Sequence, residues 1–88
     1  MVCARTSPRP MASYFQVVPV ADGKPLNSYY DYTIEDCNAG LKGSKNGNYC
    51  AFSGRYGGRK GWFLFDDHGK ILSGHYLDLS KCIRKRDE

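Results

Sequence analysis

Apolar and polar residues alternate along much of this chain. Residues 13–20 (SYFQVVPV) put Phe15, Val17 and Pro19 on one side and Tyr14, Gln16, Val18 and Val20 on the other. That is the period of a strand, and Pro19, which has no amide proton, suits an edge. Asp22-Gly23 is a turn signal. Residues 26–32 (LNSYYDY) alternate again, with Leu26, Ser28, Tyr30 and Tyr32 on one face, so a hairpin is expected.

The period then changes. Ile34, Cys37 and Leu41 stand at i, i+3 and i+7, one face of a short helix. Thr33 and Asp36 supply the hydroxyl and acid of an N-terminal capping pattern, and Glu35 and Asp36 sit where the helix dipole favours acids. Lys42 and Gly43 mark its end. Two turns are unstable alone in water, so this helix is expected to lie on the sheet.

Residues 44–47 read as a loop and 48–56 as a third strand. Tyr49, Ala51, Ser53 and Arg55 share one face; Cys50, Phe52 and Gly54 share the other. Residues 61–66 make a fourth strand, Asp67-His68-Gly69 a turn and residues 70–79 a fifth strand. Centring the turn on its glycine sets Trp62 opposite His75 and Phe65 opposite Leu72. Leu79, Cys82 and Ile83 leave either a last half-turn of helix or a frayed end. The fold class that follows is α+β: a small antiparallel sheet of four to five strands in ββαβββ order, with one short helix packed on one face.

At 88 residues the chain is one domain at most and near the lower limit for an unassisted core. Residues 1–10 (MVCARTSPRP) have no period and read as a flexible leader, with Met11 a second candidate start. Residues 11–80 form the α+β domain, and residues 81–88 (KCIRKRDE) a basic tail. No apolar run approaches the roughly 18 residues of a membrane span, so no membrane partner is expected. The N-terminus has no secretory pattern.

Cys3, Cys37, Cys50 and Cys82 show no CxxC spacing, which argues against structural zinc. The expectation is reduced thiols in the cytoplasm, with Cys37 and Cys50 as small core residues. A disulfide-stapled secreted domain competes with it, and four cysteines allow three connectivities.

The net charge is +4, but residues 11–80 balance, so the excess lies at the ends. Within the body the charge is polarised: from Cys37 to Phe65 there are five basic residues and no acid. A dipolar body favours an oriented encounter with one charged partner.

Residues 54–61 (GRYGGRKG) are the leading candidate site. Arg55, Arg59 and Lys60 can meet carboxylates or phosphates, Tyr56 can stack or fill a pocket, and the glycines allow close backbone approach. The plain alternative is a long hairpin connection with solvated charges. The segment lacks GxxxxGK[ST] and is no phosphate loop. Tyr30 and Trp62 join it as aromatic anchors on the sheet face that one helix leaves uncovered. Ordinary packing, or a homodimer burying that face, accounts for the same rings.

His68 follows Asp66 and Asp67 at a tight turn, and His75 is expected against Trp62. Neither has a positioned catalytic partner, and the acids form no evident pair. The expected function is therefore non-enzymatic, without cofactor or metal. It is a small protein-binding module that inhibits or modulates a larger protein or complex, of the phage anti-host or anti-defence type. A nucleic-acid-binding regulator using the Arg/Gly/Tyr loop and basic tails is the alternative, although residues 49–56 do not follow the RNA-recognition-motif pattern.

Overall fold

In the computed structural model, which describes residues 1–6, 14–53 and 61–88, most of the alternating segments become strands in antiparallel pairs, residues 26–32 excepted. Strands β1 (Val2–Arg5) and β2 (Phe15–Val18) form one sheet. Strands β3 (Tyr49–Ser53), β4 (Gly61–Phe65) and β5 (Ile71–Tyr76) form a second, in the order β3-β4-β5. Helix α1 covers Ile34–Leu41 and helix α2 covers Leu79–Arg86. The α+β class holds. The single sheet of four to five strands with one helix is met only in part.

Helix α1 forms where its pattern places it. Thr33 is the N-cap, and its hydroxyl accepts from the Asp36 N–H at 3.1 Å. The chain leaves the helix through Gly43 at φ +85°, a conformation that glycine adopts without a Cβ penalty.

The hairpin expected from residues 26–32 does not form, because both flanks of β2 are taken differently. Residues 2–5, read from the sequence as part of a flexible leader, pair with β2, placing Cys3 opposite Val17. On the other flank only residue 31 keeps strand pairing: Phe15 and Asp31 exchange backbone hydrogen bonds of 2.9 and 2.8 Å. Side-chain amides hold the rest of the segment. Gln16 donates to the carbonyls of Asn27 and Tyr29, and Asn27 donates to the Tyr49 hydroxyl and the Gly69 carbonyl.

The expected pairing of β4 with β5 survives at its centre, where Phe63 meets Gly74 and Leu64 meets Ser73. Bulges shift both ends, so Trp62 faces Tyr76 and Phe65 faces Ile71, in place of His75 and Leu72. The His75 ring lies 6.3 Å from that of Phe63 instead of opposite Trp62.

Residues 79–86, read as a last half-turn of helix or a frayed end running into a basic tail, form a full two-turn helix. Arg84, Lys85 and Arg86 complement the dipole in its last turn. The helix is stable because it is packed: Cys82 is buried with Cys50 and Leu64, and Trp62, Tyr76, Leu79 and Ile83 pack around them. On the opposite sheet face Val17, Cys37, Tyr49, Ala51 and Phe65 form the other core. The face expected to stand uncovered is therefore covered by α2.

The thiols are not reduced. Cys3 bridges Cys37 and Cys50 bridges Cys82, leaving no free cysteine. The partners are 34 and 32 residues apart in sequence, and folding brings their Cα atoms to 6.1 and 6.2 Å, within disulfide reach. No local spacing carries that information.

Candidate functional site

Five aromatic rings make a continuous ladder across the seam between the two sheets. Centroids are 4.2 Å apart for Tyr14 and Tyr30, 5.4 Å for Tyr30 and Tyr32, 5.8 Å for Tyr32 and Phe52, and 5.1 Å for Phe52 and Trp62. Extended backbone around Asp31 sends Tyr30 and Tyr32 to the same side. The Tyr30 N–H donates to the Phe52 carbonyl at 3.2 Å, which sets Phe52 beside them. Phe52 and Trp62 are register partners across β3 and β4.

The rings are not equally available. Tyr30, expected as a contact, is 6% exposed and acts as the packed base of the ladder, whereas Tyr32 is 52% exposed. Tyr14, Phe52 and Trp62 are half-buried. Sequence reading places Tyr32 with Tyr30 on an aromatic face but chooses Tyr30, not Tyr32, as the anchor. Arg55, Tyr56, Arg59 and Lys60 lie outside the described residues. The described strands on either side of them end at Ser53 and begin at Gly61, which face each other one step beyond the Phe52–Trp62 pair.

Between the two central tyrosines, Asp31 is 1% exposed. Its Oδ1 accepts from the Phe52 N–H at 3.2 Å, and its Oδ2 has no hydrogen-bond partner. Burial pushes this carboxyl up to about 7, with the Phe52 N–H pulling against it and the charge of Asp36 adding to it. Sequence reading missed this residue, since an acid flanked by tyrosines looks like a solvated position.

The histidines stand apart from the ladder's centre. His68 is exposed, with Nδ1 3.8 Å from Asp67. Asp66 accepts backbone N–H bonds from His68 at 2.8 Å and Lys70 at 2.9 Å. The Lys70 bond foremost holds its carboxyl below the usual range. This acid organises the β4–β5 turn. Among the described residues no group of three or more His, Cys, Asp or Glu side chains is placed to hold a metal ion. No helix among them is long and apolar enough to cross a membrane.

Among the described residues, two hollows stand apart from the ladder. A groove of about 650 Å³ runs between β1 and α1, lined by Val2, Cys3, Asn38 and Leu41 among others. A smaller one of about 270 Å³ is lined by Tyr76, Lys81, Arg84, Lys85 and Glu88. No protein family, curated protein or solved structure matches the chain.

Proposed function

We propose that this chain is a non-enzymatic binding module that docks on a larger protein through the ring ladder, with Tyr32 as the leading contact, and inhibits or modulates that protein. The observation that carries this reading is the exposure of Tyr32 on the rings of Tyr30 and Phe52, which Tyr14 and Trp62 flank in turn. A ring already held by its neighbours loses little freedom on binding, and tyrosine joins apolar area to a polar edge. Arg55, Tyr56, Arg59 and Lys60, which lie between Ser53 and Gly61 in the sequence, would extend the surface toward acidic groups of the partner. Trp62 contributes from its half-buried position.

The two disulfides favour maturation in an oxidising compartment. They support an exported module over the cytoplasmic one expected from the sequence, and a target outside the cell over an intracellular one of the phage anti-host or anti-defence type.

The hollow formed by Tyr76 with Lys81, Arg84 and Lys85 favours one second reading, a nucleic-acid-binding regulator. Capture of partners with the disulfide-intact chain, with and without nuclease, separates the two. A stoichiometric protein retained after nuclease and lost with Tyr32→Ala supports the ladder. Complete loss on nuclease treatment, with affinity falling steeply in salt, supports nucleic acid. Retention by Tyr32→Ala together with the Arg55, Arg59 and Lys60 triple alanine variant overturns the surface named here. Sedimentation of the isolated chain tests whether a homodimer occupies the ladder instead.

A further inference from the structure

We propose that Asp31 is a proton-operated latch between the two sheets: protonated, it holds the seam beneath the ring ladder shut, and its ionisation loosens that seam. The residue touches both sides at once. Its backbone exchanges hydrogen bonds with Phe15 of β2, and its side chain accepts from the Phe52 N–H of β3. The neighbouring Tyr30 N–H bonds the Phe52 carbonyl, so three consecutive residues, 30 to 32, carry the junction and its two central rings.

The surroundings suit a neutral carboxyl and not a carboxylate. An ionised carboxyl offers about four acceptor sites, and a single N–H reaches this one. Oδ2 is buried with no donor. The titratable and charged groups on the adjoining elements are Asp36 and Glu35 of α1, Tyr14, Tyr30 and Tyr32 of the ladder, Arg5 of β1, opposite Phe15, and Tyr49 of β3, whose hydroxyl is engaged by Asn27. Asp36 carries the same charge sign and adds to the cost of ionisation. No described cation forms an ion pair with Asp31. A buried charge without a counter-ion is far more costly than a buried neutral hydroxyl, so the proton is retained into the neutral range.

The direction of the pH response follows. In the folded chain the carboxyl titrates near 7, and in the unfolded chain near 3.8, its ordinary value. The folded state therefore holds the extra proton. The stabilising contribution is complete below the unfolded value and is lost as pH rises through the folded one. From about pH 4 to about pH 7 this single group raises the unfolding constant by up to tenfold per pH unit, and above that range it has no further effect. Ordinary surface carboxylates that gain partners on folding act in the opposite sense. The ladder is thus set firmly in mildly acidic surroundings and loosened in neutral to alkaline ones. The latch does not depend on what the ladder binds.

Urea unfolding of the disulfide-intact chain at pH 5 and pH 7.5 tests it, with Asp31→Asn as the variant that keeps the acceptor and removes the proton. The native chain should show an unfolding constant on the order of a hundredfold larger at pH 7.5 than at pH 5. Asp31→Asn should lose most of that difference and be the more stable form at pH 7.5. Equal pH dependence in the two chains overturns the proposal. If Asp31→Asn does not fold, carboxyl ¹³C NMR of the native chain decides: an Asp31 resonance titrating between pH 6 and 8 supports the latch, and one titrating near pH 4 overturns it.

Discussion

The half built from β1, β2 and α1 and the half built from β3, β4, β5 and α2 each tie a strand to a two-turn helix through one disulfide. The closed loops are nearly equal, 34 and 32 residues apart, so each bridge constrains the unfolded chain alike, by roughly 3–4 kcal/mol in the chain-entropy view. The native surroundings differ. Cys50 and Cys82 are both fully buried between β3 and α2; Cys37 is equally buried, but its partner Cys3 is partly exposed on a strand with one described neighbour strand. The helices are also secured at opposite ends. Thr33 caps the start of α1, which has no basic residue in its last turn. Asp78 makes no side-chain cap for α2, whose last turn carries three cations. Equal covalent constraint therefore coexists with unequal local protection, because the first acts on the unfolded chain and the second on native packing.

The largest effect should come from reduction. Losing both bridges removes roughly 7 kcal/mol, a large part of the stability of a small domain, and should abolish the native far-ultraviolet circular dichroism. Under native conditions Cys3–Cys37 should open first, as alkylation trapping and peptide mass analysis would show. Earlier opening of Cys50–Cys82 would break the ranking of the two halves.

Gly40 tests where the halves meet. In a free helix, alanine gains about 1 kcal/mol over glycine. Here a Cβ would overlap the carbonyl oxygen of Cys50, a backbone atom with little room to yield. Gly40→Ala should therefore destabilise by about 2–3 kcal/mol in urea titration. A stabilising result would mean that α1 does not press on β3.

Arg86 joins the helices. The residue is buried, 7% exposed, and its Nη1 donates to the Gly40 carbonyl at 2.7 Å, supplying α1 with the C-terminal partner its own last turn lacks. Arg86→Met keeps most of the stem and should cost about 2 kcal/mol. Hydrogen exchange should then rise at the end of α1, on a residue the substitution does not neighbour in sequence.

The smallest effect sharpens the contrast in capping. Thr33→Ala should cost about 1 kcal/mol and Asp78→Ala clearly less, read as midpoints in the same urea series. Equal costs would remove the distinction between a helix held at its start and one held at its end.

Local features were legible where the physics is local. The capped helix at Ile34, Cys37 and Leu41, the turn at Gly69 and the opposed faces of Tyr49 and Cys50 follow from periodicity and turn chemistry, which depend on neighbours a few residues away. Four of the six candidate contact residues fall outside the described residues. Of the other two, Tyr30 proved a buried base and Trp62 a half-buried end of the ladder. That Tyr32 and not Tyr30 is the exposed ring of that face became visible only once the rings stood in space.

By itself, the sequence determined the α+β class, the first helix and the alternation of the three C-terminal strands. Tertiary structure alone decided which cysteines pair, that residues 2–5 join a sheet, that the basic end folds as α2, and that Asp31 loses its solvent. Each of those outcomes depends on groups tens of residues apart competing for the same partner, and a periodicity read along the chain contains no term for that competition.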